Sequence, residues 1–316
     1  MRESRVPMNA SVDIVAVTGA SGFVGGWVMR KLRDCPGVTP VSFLENGGDI
    51  ADAALVRRRM SELKPRALIH LAAVAAPETA RGNPERAFAV NLGGTLHLAE
   101  AIRDRSPSTR LVFAGSSEAY GRSFNLGTAV DEGSLLAPGS IYGVTKAAAD
   151  LLLGQMGADG LDVVRFRPFN HTGPGQSEAY VVASFARQIA QIEAKIGPGV
   201  LRVGNLEAER DFLDVRDVAD AYVMAALRRK PLPGGAVMNL ASGKARRIGD
   251  ILMALLGRSS VQIEVQPDQA RMRPSEIARA VGNAQEARRL LDWKPTIEWE
   301  RTLDDTLNDW RARVLS

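Results

Sequence analysis

The chain has 316 residues, 45% hydrophobic and 24% charged, which excludes a disordered or collagen-like polymer and allows one large core or two adjoining ones. Forty Lys and Arg against 36 Asp and Glu leave a net charge of +4 with no basic stripe interleaved with aromatics, so no nucleic-acid partner is expected, whereas an anionic small molecule fits. The one cysteine, Cys35, cannot close an intramolecular disulfide and shares no metal-ligand spacing with His70, His97 or His171, so no metal site is expected.

Residues 1 to 12 lack the apolar stretch of a signal peptide, and the longest uncharged apolar run, Ala67 to Pro77, is far short of the ~20 residues of a membrane span. A cytoplasmic, reducing location without a membrane partner is the expectation. From Asp13 the chain alternates apolar runs with helical periods: a strand at Asp13 to Thr18, a helix at Phe23 to Leu32, a strand at Pro40 to Leu44, a helix at Ala51 to Leu63 and a strand at Ala67 to Leu71. A helix from Pro84 to Ile102, a strand at Arg110 to Ala114, a helix at Ile141 to Met156 and a strand at Leu161 to Phe166 follow. This order predicts an α/β fold, a Rossmann-like doubly wound parallel sheet. After Pro168, Gly/Pro clusters loosen the alternation and predict a smaller C-terminal substrate-binding domain: 1–170 for the dinucleotide, 171–316 mainly for the substrate, with segments near 212–241 returning to the first domain.

The first strand runs directly into Thr18-Gly-Ala-Ser-Gly-Phe-Val-Gly25. Three glycines at a spacing of three, where a strand becomes a helix, leave backbone amides open to a pyrophosphate at the positive end of the helix dipole. Gly19 allows the tight turn, Gly22 the close approach and Gly25 the packing of helix on strand; Ser21, Phe23 and Val24 complete the turn. Glu45 closes the second strand 20 residues after Gly25, where an acid hydrogen-bonds the ribose hydroxyls of NAD and repels a 2′-phosphate, or else is a solvated strand end.

Tyr142-Gly-Val-Thr-Lys146 places a phenol and an ammonium one turn apart at the start of a predicted helix. A nearby lysine charge lowers a phenol whose free pKa is about 10, bringing it toward acid–base work at neutral pH. The strand Arg110 to Ala114 opens at its carboxyl edge into Gly115-Ser-Ser-Glu-Ala-Tyr-Gly121, where ligands of parallel sheets bind. Ser116 is placed to donate to a substrate carbonyl oxygen and Glu118 to act as a second proton-transfer group; each taken singly also reads as a loop cap or a solvated carboxylate.

With these motifs in place the chain resembles the extended short-chain dehydrogenase/reductases, the NAD-dependent epimerase/dehydratase family, over residues 13 to 312. The glycine turn, Asp49-Ile50, His70-Leu-Ala-Ala73, Asn91-Leu-Gly-Gly-Thr95, the Tyr142/Lys146 pair and Arg167-Pro-Phe-Asn170 all match family motifs. The resemblance implies an adenine contact from Asp49 and Ile50 and a passage of Leu71, Ala72 and Ala73 beneath the cofactor. It also implies a catalytic triad of Ser116, Tyr142 and Lys146, with Lys146 on the nicotinamide ribose, NAD(H) or NADP(H) as cofactor, and a homodimer paired through helices at Pro84 to Ile102 and Ile141 to Met156.

Phe169-Asn-His-Thr-Gly-Pro-Gly-Gln176, Gly204 to Phe212 and Arg273-Pro-Ser-Glu276 resemble the branch that acts on GDP-linked sugars. That implies a diphosphate held by Asn170 and Arg210, a nucleoside engaged by Arg273 and Glu276, and Ser116 and Ser117 beside the sugar. Within the branch, the short loop to Asp49 and the stretch Glu207 to Arg216 look like the reductases, implying reduction of a GDP-4-keto-6-deoxy sugar at C4 to GDP-rhamnose. Glu118 instead favours 4,6-dehydration of GDP-mannose. Val74-Ala-Ala-Pro77 departs from the family, which places a polar run there. A non-catalytic dinucleotide-binding sensor or scaffold is the competing class, and loss of Tyr or Lys would have favoured it.

Overall fold

Val15 and Val17 face one way and Ala16 the other, all fully buried, so the first strand, β1 (Asp13–Thr18), is covered on both faces. That double cover is why its sequence reads as an unbroken apolar run instead of an alternation. The computed structural model describes residues 13–44, 47–197, 199–272 and 277–315.

From β1 the chain passes through α1 (Phe23–Arg33), β2 (Val38–Ser42), α2 (Ala53–Leu63), β3 (Ala67–His70), α3 (Pro77–Gly82), α4 (Pro84–Phe88), α5 (Thr95–Arg105), β4 (Arg110–Ala114), α6 (Ile141–Ala158) and β5 (Val163–Pro168). Then come β6 (Asn170–Thr172), α7 (Val181–Glu193), β7 (Val200–Val203), β8 (Glu209–Asp214), α8 (Val215–Leu227) and β9 (Ala236–Leu240). The last elements are β10 (Ala245–Arg247), α9 (Ile248–Leu256), β11 (Glu264–Pro267), β12 (Arg279–Ala280), α10 (Gln285–Leu291) and α11 (Trp299–Leu315).

Six strands form one parallel sheet in the order β2-β1-β3-β4-β5-β9. Helices α1 and α8 cover one face through Val28, Leu32, Val218 and Ala221, and α2, α5 and α6 cover the other through Val56, Met60, Leu98 and Leu153. The strand order reverses between β1 and β3, and a crevice for ligands opens outside the carboxyl ends at such a reversal.

A second, smaller assembly centres on β8, which pairs antiparallel with β10 and parallel with β6 and β12. Its core, Phe185, Ile189, Leu201, Phe212, Leu252, Leu307 and Trp310, joins α7, α9 and α11. No helix among the described residues is long and apolar enough to cross a membrane.

The helix expected from Pro84 to Ile102 runs without a break to Arg105, with a π-helical turn at Ala89–Gly94 between α4 and α5. Two consecutive glycines weaken the α-helical preference there, and Ile50 packs so tightly on Gly94 that a Cβ would stand 2.6 Å from Ile50 Cγ1. The wider turn carries Asn91 into a fully buried position. Helix α3, which the sequence pattern did not indicate, begins at Pro77, whose missing N–H costs nothing in a first turn.

Candidate active site

At the reversal, Gly19 holds φ +69° and a Cβ there would lie 2.9 Å from the Ala72 nitrogen, so the glycine turn rests directly on the segment leaving β3. A Cβ at Gly25 would collide with the Gly19 carbonyl and lie 2.9 Å from Ala20, which requires glycine where α1 meets its own turn. Gly22 is the N-cap of α1 and no side chain caps it, so the first-turn amides of Phe23 and Val24 open toward the crevice. An uncapped helix start over a bare glycine turn fits a dinucleotide diphosphate.

A chain of buried hydrogen bonds leads from this turn to the predicted catalytic helix. The Thr18 hydroxyl accepts from the Leu71 and Ala72 amides at 3.1 Å each and donates to His70 Nδ1 at 2.8 Å. Thr95 Oγ1 spends its proton on the Asn91 carbonyl at 2.7 Å, so His70 Nε2 must be the donor across the 3.0 Å to Thr95. Burial, with the Lys146 charge adding to it, pushes His70 down to about 3, in keeping with this neutral tautomer. Asn91 accepts from the Val74 amide at 2.8 Å and donates to Thr145 Oγ1 at 2.9 Å, and Thr145 donates to the Tyr142 carbonyl at 2.8 Å. Neither His70 nor Asn91 stood out as a positioning residue in the sequence, because their partners are 17 to 54 residues away.

Tyr142 sits in the first turn of α6, partly open to the crevice, with Ser140 as the N-cap that accepts from the Gly143 amide at 3.0 Å. Burial raises its phenol above the usual tyrosine range, the Ser116 hydroxyl offsets part of this by hydrogen bonding, and the charges of Glu118 and Tyr180 push it further up. Ser116 accepts from the Glu118 amide at 3.1 Å, leaving its own proton for a partner in the crevice. Ser117 is buried in the short turn that follows.

Lys146 departs from the sequence expectation. Its ammonium donates to the Ala114 carbonyl at 2.7 Å over the Phe113 ring, and burial lowers it to about 8. The phenol is therefore raised by its surroundings instead of being lowered by the lysine. The phenol is protonated at neutral pH, the state a proton donor starts from, and its raised pKa makes it a weaker acid than a free tyrosine.

Glu118 reaches solvent at the mouth of the crevice, yet the crowded walls raise its carboxyl, against the opposing pull of the Arg210 charge and a hydrogen bond from Ser140. Arg210 on β8 donates to the carbonyls of Glu209, Ile277 and Ala278 at 2.8, 3.1 and 3.3 Å. Asn170 is exposed on β6, opposite Phe212 and hence two residues along β8 from Arg210. Ser116, Glu118, Tyr142, Tyr180 and Arg210 thus converge on one space, although they come from four separated stretches of chain. Tyr180 and Ser140 were not singled out in the sequence, since nothing local marks a lone residue before a helix.

Two contacts tie this space to the glycine turn: Phe23 stacks on His171 with centroids 6.3 Å apart, and the Trp27 indole donates to the Pro174 carbonyl at 3.1 Å. Arg167, from the Arg167–Asn170 motif, is buried against Asp150, with bonds of 2.7 and 3.0 Å, and donates to the Tyr120 hydroxyl at 3.0 Å. It anchors the Ser116–Tyr120 loop. Asp49 is tied to Arg86 at 2.6 Å and to the Ala51 amide, while Ile50 is buried. Glu45, Arg273 and Glu276 lie outside the described residues. Among the described residues no cluster of three or more His, Cys, Asp or Glu is placed to hold a metal.

A parallel sheet with an open glycine turn at its strand-order reversal, facing a serine, a tyrosine and a lysine, defines a dinucleotide-dependent oxidoreductase. Residues 39–306 match the family model described as GDP-mannose 4,6 dehydratase, and the chain belongs to this family of NAD(P)-dependent, extended short-chain dehydrogenase/reductases that act on nucleotide sugars. It is 35% identical to GDP-6-deoxy-D-mannose reductase of Pseudomonas aeruginosa over 94% of this chain and 97% of that one. It is 27% identical to GDP-mannose 4,6 dehydratase 1 of Arabidopsis thaliana, over 80% of this chain and 70% of the relative. Among solved structures, RMD from Pseudomonas aeruginosa complexed with NADPH superposes with a TM-score of 0.86 at 33% identity, covering 95% of this chain and 99% of that one. The UDP-glucose 4-epimerase of Thermus thermophilus with NAD gives 0.79 at 28% identity, covering 94% and 99%.

Proposed function

We propose that the chain reduces the C4 keto group of a GDP-4-keto-6-deoxy sugar to give GDP-rhamnose, with NADH or NADPH as reductant. The observation that carries this reading is the 35% identity to the Pseudomonas aeruginosa reductase through nearly the whole of both chains. The bound nicotinamide supplies the hydride. Ser116 donates a hydrogen bond to the C4 oxygen, and the Tyr142 phenol gives its proton to that oxygen as it becomes an alkoxide. Lys146, anchored on the Ala114 carbonyl, would hold the nicotinamide ribose. Gly19, Ser21, Gly22, Phe23, Val24 and Gly25 hold the diphosphate of the cofactor, with Glu45, Asp49, Ile50 and Leu71 to Ala73 around its adenosine and ribose. Asn170 and Arg210 hold the diphosphate of the substrate, Ser117 flanks the sugar, and Arg273 and Glu276 engage the nucleoside. Orientation of the carbonyl by these groups supplies much of the rate.

In this reading residues 1–170, together with 212–241, serve the cofactor, and the remainder serves the sugar nucleotide in a cytoplasmic enzyme. Exposed Leu151 on α6 and Phe88 on α4 support a homodimer through those helices.

The raised carboxyl of Glu118 favours a second reading, dehydration of GDP-mannose, in which it would take a proton α to a 4-keto group. The two separate in one assay. Purified protein with GDP-4-keto-6-deoxymannose should consume NADH or NADPH stoichiometrically. A 4-keto-6-deoxy product formed from GDP-mannose without added reductant, and lost in Glu118→Gln, would replace the reductase by the dehydratase.

A further inference from the structure

Ser116 and Tyr142 serve one carbonyl oxygen only if they stand at a fixed distance, yet they come from different elements. Ser116 opens the short turn Ser117–Ala119 after β4, and Tyr120 closes it, its amide donating to the Ser117 carbonyl at 3.0 Å. The near end of this stretch is held twice. The Gly115 amide donates to the Phe166 carbonyl of β5 at 2.7 Å, and Lys146 of α6 donates to the Ala114 carbonyl at 2.7 Å. The far end hangs on the side chain of Tyr120, which is fully buried.

That side chain is one link in a closed circuit of contacts. The guanidinium can only donate, so the Tyr120 hydroxyl accepts from Arg167 Nη1 at 3.0 Å and gives its own proton to Asn239 Oδ1 of β9 at 2.7 Å. Arg167 passes Nε and Nη2 to the two oxygens of Asp150 at 3.0 and 2.7 Å. Asp150 lies on α6, one turn beyond Lys146 and two beyond Tyr142. The circuit thus runs from α6 through Asp150, Arg167 and Tyr120 into the Ser116 turn, and returns through Ala114 to Lys146 on the same helix. A Cβ on Gly115 would stand 2.5 Å from the Phe166 carbonyl, so the stretch lies flat on β5 with no slack. A buried network with its polar groups paired holds one geometry.

We propose that the Tyr120 hydroxyl is a positioning group for the reduction: with Arg167 and Asp150 it fixes the Ser116 turn against Tyr142, and it acts on the reaction through Ser116 alone. This inference rests on the keto-reduction reading above. Loss of the hydroxyl opens the circuit at Arg167 while Lys146 still holds Ala114. Ser116 then drifts from the carbonyl oxygen, and the groups that bind the cofactor keep their places. Small misplacements of a reacting or orienting group are enough to slow a bound reaction.

Tyr120→Phe keeps the aromatic packing on Phe124 and Phe169 and leaves Arg167 Nη1 its bond to the Glu132 carbonyl at 3.1 Å. The full chain, loaded with one equivalent of NADPH and mixed with saturating GDP-4-keto-6-deoxymannose, reports hydride transfer in a single turnover. Its rate constant does not depend on how much of the protein is folded, because that fraction sets the amplitude. In Tyr120→Phe the rate constant should fall roughly tenfold, with the amplitude and the Kd for NADPH within about twofold of wild type. In a Ser116→Ala background the same change should lower the rate constant by less than about twofold, because no hydroxyl is left to misplace. A wild-type rate constant in Tyr120→Phe overturns the positioning role and leaves the reductase reading standing. So does a loss that persists undiminished in the Ser116→Ala background. Absence of NADPH oxidation in wild type overturns the reduction and this inference together.

Discussion

The cofactor side and the substrate side of the crevice are built by different means. On the cofactor side, Thr18, His70, Thr95, Asn91 and Thr145 are almost wholly buried and bonded to one another, and each sits on an element predictable from local pattern. On the substrate side, β8 gathers β6, β10 and β12 from distant parts of the chain, and Arg210 leans on main-chain carbonyls at the edge of solvent. A buried, satisfied network is costly to disturb and holds one geometry. A partly exposed surface assembled from short strands tolerates change and adjusts to its ligand. Damage on the cofactor side should therefore appear in stability, and damage on the substrate side in KM.

The largest expected effect is on the chemistry shared by the two sides. Tyr142→Phe should lower kcat by roughly 10²- to 10⁴-fold, because a proton donor is lost, while the Kd for reduced cofactor changes less than about twofold. Steady-state rates and a fluorescence titration of NADPH measure the two quantities, and near wild-type turnover would remove Tyr142 from its role.

Gly25→Ala tests the comparison itself. Overpacking against Gly19 and Ala20 should cost about 3 kcal/mol of unfolding free energy and weaken cofactor binding with it. Asn170→Ala, on an exposed strand, should change stability by less than about 0.5 kcal/mol yet raise KM for the sugar nucleotide. Urea unfolding of both variants decides it, and equal losses would erase the distinction between the two sides.

The buried network also has a pH signature. His70 is lowered in the folded protein to about 3 from an unfolded value of 6.5, so the unfolded chain binds the extra proton between those values. Its contribution is present above pH 6.5 and is lost as pH falls toward 3, at about 1.4 kcal/mol per pH unit. The slope of stability against pH in that window should be shallower by about one proton in His70→Gln. Equal slopes would mean that the imidazole is not held neutral.

On the alkaline side, Lys146 is lowered to about 8, so kcat/KM should fall as pH rises through that value and the ammonium is lost. In Lys146→Arg the fall should move to higher pH. The smallest effect belongs to Glu118→Gln, which should change kcat for keto-sugar reduction by less than about threefold, since reduction asks no base of it. A loss of a hundredfold would turn attention to proton abstraction.

Much of this was legible in residue order. The β1 run ending in three glycines, the strand before Ser116 and the Tyr142/Lys146 spacing are local signals, because a parallel strand buried on both faces and a helix start each announce themselves within a few residues. Five strands of the parallel sheet follow from that alternation, with bounds that differ from the expected ones by two residues at most, while the sixth, β9, lies in the stretch expected only to return to the first domain. What the residue order did not carry was set by contacts between distant segments. The π-helical turn goes with Ile50 pressing on Gly94 and Asn91 reaching Val74, so a helix whose extent the pattern gave carries an internal turn that the pattern did not give. Spacing alone pointed Lys146 at the phenol, but the Ala114 carbonyl and the Phe113 ring, supplied by β4, turn the ammonium elsewhere. Glu118 and Arg210, 92 positions apart, act on each other only because β8 is carried to the mouth of the crevice. Local order chooses elements because backbone bonding and side-chain periodicity act over a few residues. The ionisation of the site was decided by tertiary structure, because desolvation and charge depend on what the fold brings within reach.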